Sequence, residues 1–257
     1  MHRILQDLKA TAAHRLKYGR YALQGHRGKY AARQEAPGDA FGHVWCDLEV
    51  VIRMRGNGPE VNASRIWNMK LAASYFDGLV VEPGQIVGFW ERVPAPRRRN
   101  RFREGPAFIR NVVTRDVGGG LCQISTALYK LFLRAGFEVI ERHNHSIDAY
   151  GAERYFILGQ DATLSYGYKD LIARNDTGVP VQLRMAIDDA NPVVRVSLHG
   201  RQPMPGHVSI ETQIVDELPA VAGNTRPGWR VETVRTVERP GDRRVLRYVD
   251  VYRPHAG

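Results

Sequence analysis

One cysteine in this sequence lies where its sulfur could act as a nucleophile. Cys122 follows three glycines, Gly118, Gly119 and Gly120, and opens an apolar stretch with helical spacing. A helix N-terminus offers free backbone N–H groups and the positive end of the helix dipole, and both favour a thiolate. Glycines let the backbone approach a ligand closely, and amides near the sulfur could donate to a developing oxyanion. The pattern is suited to acyl transfer.

A thiolate nucleophile needs a base that also returns a proton to the leaving group, and histidine suits that work near neutral pH. In an extended "ERHNHSID", His143 and His145 would point to the same face, and Asp161 downstream could orient an imidazole. Two other interpretations stay open from spacing alone. Cys122 could be a small, inert core thiol, or the four residues could bind a metal, although no CxxC or HExxH pattern accompanies them. We expect no metal and no cofactor.

The elements that must position these residues follow from local patterns. The segment "VNASRIWNMKLAASYFDG" predicts a helix with Asn62 as its N-cap and Gly78 at its end. "LVVEPGQIVGFW" predicts a strand, a Pro83-Gly84 turn and a second strand. "AFIRNVVTRD" predicts a strand leading to the glycines, and a helix then runs from Leu121 to Ala135 with Gly136 as its cap.

Short alternating segments dominate the rest of the chain. They are "FEVIERHNHSIDAY", "ATLSYGY", "DLIARND", "VPVQLRMAI" and "PVVRVSLHG", followed from about residue 201 by a β meander with a turn at Pro240-Gly241-Asp242. Helices followed by a train of strands favour an α+β fold, with the cysteine-bearing helix packed on a mainly antiparallel sheet. We predict a basic amphipathic N-terminal arm (1–35), a core domain (36–200) and a small β-rich C-terminal extension (201–257).

Charge is concentrated at the start of the chain. The net charge is +10, and residues 1–34 hold eight Lys or Arg against one acid, Asp7. Apolar residues recur there at steps of three and four, which predicts an amphipathic helix: Ile4, Leu5, Leu8, Ala12 and Leu16. The helix could dock on its own domain or adsorb to an anionic membrane surface. No recognition motif accompanies the charge, so we expect no nucleic-acid partner.

Two further features bear on location and on substrate. The chain has two cysteines, too few for a disulfide framework, and it shows neither the apolar core of a signal peptide nor an apolar run that spans a bilayer. We therefore expect a cytoplasmic protein that the basic arm could hold at the membrane surface. The arginine-rich run "PAPRRRNRFREG" predicts an exposed loop that serves solubility or forms an anion-binding rim.

The motifs together resemble the VanW family. The resemblance is carried by "GGGLCQISTALY", "ERHNHS", "GQDATLSYGYKDL", "ARNDTG" and "EPGQIVGFW", and it spans roughly Arg65 to Val181. The resemblance implies a protein of the bacterial envelope with L,D-transpeptidase activity on peptidoglycan stem peptides through an acyl-enzyme. Its partner would be a peptidoglycan peptide or a lipid-linked wall precursor.

Carried over residue by residue, the resemblance makes Cys122 the nucleophile, His145 the general base and Asp161 its orienter. Around them we expect an oxyanion or substrate-binding group, which consists of Gly118, Gly119, Gly120, Gln123, Ser125, Thr126 and His143. The alternative is a non-catalytic accessory or binding protein of cell-envelope or glycopeptide-resistance systems. A cleft that holds a peptide without turning it over would suffice for that role.

Overall fold

The computed structural model describes residues 2–54, 58–109, 112–188, 191–220 and 225–256. Four α-helices occur in these residues, namely α1 (His2–Tyr21), α2 (Pro59–Ala73), α3 (Phe89–Arg92) and α4 (Leu121–Arg134). The strands pair antiparallel throughout. The expected α+β class is therefore confirmed. Across the described ranges, no helix is both long and apolar enough to cross a bilayer.

The strands form several small sheets. The strands are β1 (His43–Val51), β2 (Leu79–Val81), β3 (Ile86–Gly88), β4 (Glu104–Ile109), β5 (Val112–Val117), β6 (Glu138–Glu141), β7 (Ile172–Arg174), β8 (Val181–Asp188), β9 (Val193–Gly200), β10 (His207–Leu218), β11 (Thr225–Arg226), β12 (Gly228–Arg239), β13 (Asp242–Tyr252) and β14 (His255–Ala256). The largest sheet has the order β1-β9-β8-β2, and β3-β7-β6 and β10-β12-β13 form three-stranded sheets. The pairs β4-β5 and β11-β14 complete the set.

Helix α4 lies in the middle of the core. The expected apolar stripe of Leu121, Ile124, Leu128 and Leu131 is buried, and so are residues on its other faces, such as Phe132. The helix packs on β1 and β9 and against α2. A helix that is buried on nearly all sides is fixed by packing rather than by its own propensity. Its first turn, which carries Cys122, is therefore held in place.

The helix predictions need two corrections, both in α2, which ends at Ala73 rather than at the expected Gly78. Helix α4 and its end are confirmed, since Gly136 adopts the left-handed φ of 76° after the last turn. Helix α2 begins at Pro59, and its N-cap is Gly58, so the expectation of Asn62 as N-cap is wrong. Proline suits the first helical position because its missing N–H would have no intrahelical partner there.

The strand predictions need three corrections. Residues 107–116 fall in a hairpin of two strands, β4 and β5, whose residues 110–111 lie outside the described residues. "ATLSYGY" is a loop rather than a strand, and the segment after Glu141 is not extended as a strand either. Gly167 accounts for part of this, because its φ of +84° and its close approach to the backbone of Ala10 bend the chain under α1. Strand β1 was not predicted.

The C-terminal meander matches expectation and packs directly on the core. Strands β12 and β13 join through Pro240-Gly241, with Arg239 paired to Asp242. The guanidinium of Arg235 is buried and donates to the Phe137 carbonyl at 2.7 Å. The three-part division of the chain at residues 35 and 200 stays a prediction, while these contacts tie the extension to the region that follows α4.

Candidate active site

The glycine run forms a tight turn that leads into α4. Gly118 and Gly120 have φ values of 96° and 101°, in the left-handed region that favours glycine. A Cβ on Gly120 would lie 2.9 Å from Arg65 Cγ, and a Cβ on Gly118 would lie 2.5 Å from Pro96 Cβ. Both positions therefore lack space as well as conformational freedom for a side chain. The Gly119 carbonyl accepts a hydrogen bond from Asn68 Nδ2 at 3.0 Å.

Cys122 is the second residue of α4, and its thiol is reduced and partly exposed. Its sulfur lies 3.7 Å from the Thr163 hydroxyl oxygen and makes a hydrogen bond with the His145 ring. The backbone N–H of Leu164 also donates to it. The sulfur thus meets three polar partners at the N-terminus of a buried helix, which is the environment expected of a reactive thiol rather than an inert one.

His145 and Asp161 meet in a buried pair behind the sulfur. His145 Nδ1 lies 2.5 Å from Asp161 Oδ2, and the same carboxylate oxygen accepts the His145 backbone N–H at 2.8 Å. The histidine is 3% exposed and Asp161 is fully buried. Because Nδ1 is engaged with the carboxylate, Nε2 remains for the sulfur. The structure therefore brings the Cys122 sulfur, the His145 ring and the Asp161 carboxylate together in one series of contacts.

The second oxygen of Asp161 is held by residues that the sequence did not point to. Tyr252 Oη donates to Asp161 Oδ1 at 2.5 Å, and Arg142 Nη2 donates to it at 3.0 Å. Arg142 also reaches both oxygens of Asp250 at 2.6 Å and the Asp161 carbonyl at 2.5 Å. A buried carboxylate with four donors is stabilised as an anion. Strand β13 thus supplies two residues, Asp250 and Tyr252, to this network.

The ionisation of the three residues follows from these contacts. Burial raises the pKa of the Cys122 thiol, but the hydrogen bond and charge of His145, with the Leu164 N–H and the Thr163 hydroxyl, outweigh it and leave the pKa below its ordinary value. Burial lowers the pKa of His145, while Asp161 and Cys122 together raise it above its ordinary value. Burial raises the pKa of Asp161, and His145, Arg142 and Tyr252 bring it below its ordinary value. All three directions favour a thiolate beside an imidazolium.

Three of the expected binding residues face into the fold. The Ser125 hydroxyl donates to the Ala162 carbonyl at 2.6 Å, and the Ala162 N–H donates to Thr126 Oγ1 at 3.1 Å. The Gln123 side chain accepts from Arg65 at 2.6 Å and donates to the Val51 carbonyl at 2.6 Å. All three side chains are buried. Ser125 and Thr126 therefore hold the segment after Asp161 against the first turns of α4.

The second histidine has a different partner. His143 Nε2 lies 3.0 Å from Glu141 Oε1, and that carboxylate also accepts from Lys17 and Tyr21 of α1. His143 thus contacts the network under α1, whereas His145 contacts Asp161. The two rings do not share the expected face because the chain leaves strand geometry after Glu141. Among the described residues, no group of three or more His, Cys, Asp or Glu side chains is arranged to hold a metal ion.

An aromatic wall surrounds the imidazole. The Phe156 ring stacks on His145 at 5.5 Å with an interplanar angle of 11°, and Tyr150 meets it edge-on at 6.3 Å. Tyr155 packs edge-on against the rings of Tyr150 and Phe156. These rings were not predicted as site residues, and their only signal is their place between the histidine motif and Asp161. They keep the His145–Asp161 pair away from water, which strengthens its electrostatic interaction.

Comparison with known proteins finds matches that cover most, but not all, of the residues of this site. The family model described as VanW like protein matches residues 64–197. The chain is 32% identical over 134 residues to the Vancomycin B-type resistance protein VanW of Enterococcus faecalis (strain ATCC 700802 / V583), which covers 52% of this chain and 49% of that protein. It is 31% identical over 123 residues to the uncharacterized protein YoaR of Bacillus subtilis (strain 168), and this alignment covers 48% of this chain and 39% of YoaR. No solved structure matches the chain.

The extent of these matches bears on the site. The aligned part spans half or less of each of these relatives. The family match includes Cys122, Arg142, His145 and Asp161, whereas Tyr252 lies outside it. The site therefore combines residues of the matched region with one strand from beyond it.

Proposed function

The chain belongs to the family of VanW-like proteins, and we propose that it is a cysteine-dependent acyltransferase acting on cell-wall stem peptides. The observation that carries the proposal is the contact series from the Cys122 thiol to His145 and from His145 to Asp161. This series provides a nucleophile, a proton carrier and a fixed orienting carboxylate. The similarity to the Enterococcus protein, which is named for vancomycin B-type resistance, supports a role in vancomycin resistance.

In the proposed first step, the Cys122 thiolate attacks a peptide carbonyl carbon of the stem peptide. A carbon–sulfur bond forms, the carbon–nitrogen bond breaks, and the leaving amine takes a proton from the His145 imidazolium. Gly118 N–H already donates to the Arg103 carbonyl at 3.0 Å, so it holds the turn. We assign the developing oxyanion to the Cys122 backbone N–H in the first turn of α4, where helical N–H groups have no intrahelical acceptor.

In the proposed second step, an amine of another stem peptide, or water, attacks the thioester carbon. Its proton passes to neutral His145, the carbon–sulfur bond breaks, and sulfur leaves as a thiolate beside a renewed imidazolium. Asp161 stays ionised throughout and holds the ring. Ser125 and Thr126 do not contact the substrate in this proposal; they position Asp161, because their side chains bond to the backbone of the next residue, Ala162.

Incubation of the whole protein with purified muropeptides, followed by intact mass spectrometry, tests this proposal. The expected result is a mass increase equal to the acyl fragment, located on Cys122 by peptide mapping and removed by hydroxylamine, which cleaves thioesters. Cys46→Ala is the matched control and should form the same adduct, since Cys46 lies on strand β1 and not in the Cys122–His145–Asp161 series. Product formation that persists in Cys122→Ala would reject the nucleophile, and saturable binding without adduct or product would assign a binding role instead.

A further inference from the structure

Helix α1 docks on the rest of the protein through its polar side. Lys17 Nζ lies 2.6 Å from Glu141 Oε1, and Tyr21 Oη donates to Glu141 Oε2 at 2.6 Å. Tyr18 Oη donates to Asp170 Oδ2 at 2.9 Å. These bonds tie the second half of the helix to the end of β6 and to the segment just before β7.

The first half of the helix is held as well. Arg97 donates to the Thr11 hydroxyl at 2.7 Å, and the His14 ring stacks on Tyr166 at 4.8 Å. Gly167 approaches the backbone of Ala10 so closely that a Cβ on it would lie 2.3 Å from the carbonyl oxygen. Contacts along the length of the helix therefore fix which side of α1 faces outward.

The outward side is the apolar one. Its large side chains are 50% exposed or more: Ile4 67%, Leu5 51%, Leu8 62% and Leu16 60%. We call these four residues the α1 stripe. An amphipathic helix on a globular protein ordinarily buries its apolar stripe and exposes its polar face. The reverse arrangement here leaves the four apolar side chains uncovered on one side of the helix, and such an exposed apolar surface indicates an interaction site.

Positive charge borders the α1 stripe. Helical geometry places Arg15 within the exposed arc and Lys9 and Arg20 at its edge, and all three are exposed. The single acid of this segment, Asp7, lies 3.4 Å from Arg97 Nε. Ile4 and Leu8 also line a shallow groove, and the side chain of Arg99 lines it beside them. A partner must therefore offer an apolar interior beneath an anionic layer.

We propose that the α1 stripe and its flanking basic residues bind the surface of an anionic phospholipid bilayer, with the helix lying in the plane of the membrane. Apolar side chains enter the boundary of the acyl chains, while the cations stay at the headgroups. A second copy of this chain would bring two basic faces together, and a nucleic acid would leave the apolar side chains in water. The inference is independent of the chemistry proposed for Cys122.

Vesicle co-sedimentation of the full chain tests the proposal without reference to activity. Vesicles of phosphatidylcholine mixed with phosphatidylglycerol should sediment the protein, and vesicles of phosphatidylcholine alone should sediment it far less. Raised salt should release it, because exposed charges are screened beyond a Debye length of about 8 to 10 Å near physiological ionic strength.

Two sets of variants separate the apolar and charged contributions. The triple change Ile4→Ser, Leu8→Ser and Leu16→Ser should abolish most sedimentation, and its matched control changes three apolar residues of comparable exposure elsewhere: Val44, Ile214 and Val249 to Ser. Changing Lys9, Arg15 and Arg20 to Gln should weaken partition by at least about tenfold, since each basic residue near an anionic leaflet contributes appreciably. Its control changes the exposed Arg53, Arg230 and Arg253 to Gln.

Circular dichroism and the melting temperature check that each variant folds. Equal sedimentation of the triple serine variant and the parent would overturn the proposal, and so would equal binding to neutral and anionic vesicles. Sedimentation velocity tests the alternative that a second copy of this chain binds the α1 stripe. A parent chain that dimerises through the α1 stripe, and whose triple serine variant is a monomer, would assign the surface to self-association and reject the membrane.

Discussion

His145 and Asp161 are joined twice, once through the ring and once through the backbone. Asp161 Oδ2 accepts from His145 Nδ1 at 2.5 Å and from the His145 N–H at 2.8 Å. The double contact fixes both the position of the ring and its tautomer, so that Nε2 faces Cys122. The reactivity of the sulfur is therefore set in part by a carboxylate that is fully buried and lies beyond the histidine.

The two cysteines should differ sharply in alkylation. Cys122 has a lowered pKa, whereas burial raises the pKa of Cys46 to about 11. At neutral pH we expect iodoacetamide to modify Cys122 much faster than Cys46, because only the thiolate reacts. Peptide mapping over a time course measures both rates in one sample. Comparable rates would contradict the assigned environment of Cys122.

Loss of the imidazole should move the titration of the thiol. His145→Gln removes both the hydrogen bond and the positive charge that lower the Cys122 pKa. We expect the pH midpoint of thiolate absorbance in the ultraviolet to rise, measured in a Cys46→Ala background. His143→Gln is the matched control and should leave the midpoint in place, since His143 bonds to Glu141. An equal rise in both variants would argue against the specific role of His145.

Asp161 should govern part of the acid stability. Its pKa is lowered in the folded protein, so its contribution is fully present above its ordinary pKa of about 3.8 and is lost as pH falls from there through the folded value. Asp161→Asn should destabilise the protein near pH 7, and the remaining stability should depend less steeply on pH below about 4. Urea unfolding at several pH values between about 2.5 and 7 measures both effects. An acid limb of unchanged slope would contradict the prediction.

Tyr252→Phe should act on both stability and the site. The hydroxyl donates to Asp161 at 2.5 Å and accepts the Gly159 N–H at 2.8 Å, so its loss leaves buried groups unsatisfied at a cost of about 1–3 kcal/mol. Denaturant unfolding measures that cost, and the pH profile of Cys122 alkylation reports the effect on the site. Tyr168→Phe, at a residue that is 56% exposed, is the control and should change neither.

Gly120→Ala separates lack of space from backbone strain. Gly120 and Gly84 both have a left-handed φ, but a Cβ on Gly84 meets nothing within 4 Å, whereas one on Gly120 meets Arg65 and Met69 at 2.9 and 3.0 Å. Strain alone costs about 1–2 kcal/mol at either site. We expect Gly120→Ala to lose measurably more stability than Gly84→Ala in thermal unfolding. Equal losses would mean that the turn before Cys122 adjusts freely.

Much of the site could be predicted from the sequence because it depends on short motifs. The glycines before Cys122, the apolar spacing of α4, the two nearby histidines and Asp161 downstream are local signals, and the family resemblance chose His145 rather than His143 as the base. The α+β class followed in the same way from the order of elements. Strand β1 was missed because Asp47 and Glu49 interrupt its apolar run, as an edge strand paired on one side allows.

The remaining site residues depend on contacts between distant segments. No local pattern predicts that Tyr252 bonds to Asp161, which lies 91 residues earlier in the chain. Nor does one predict that Glu141 forms hydrogen bonds with His143 and with two residues of α1. Likewise, the buried side chains of Gln123, Ser125 and Thr126 look like polar binding residues in the sequence, and only packing shows that they bond to the backbone. The sequence also did not show which side of α1 docks on the protein, because its hydropathy pattern predicts that the apolar stripe is buried.

The contribution of β13 gives the site an order of assembly during synthesis. Asp161 leaves the ribosome long before Tyr252, and until β13 has docked, Arg142 lacks Asp250 and Asp161 lacks the tyrosine hydroxyl. The nascent chain therefore carries Cys122 and His145 without the full set of donors that holds the orienting carboxylate. The final environment of the Cys122 thiol therefore depends on completion of the C-terminal sheet, because a chain halted before β13 lacks the residues that hold Arg142 and Asp161 from that strand.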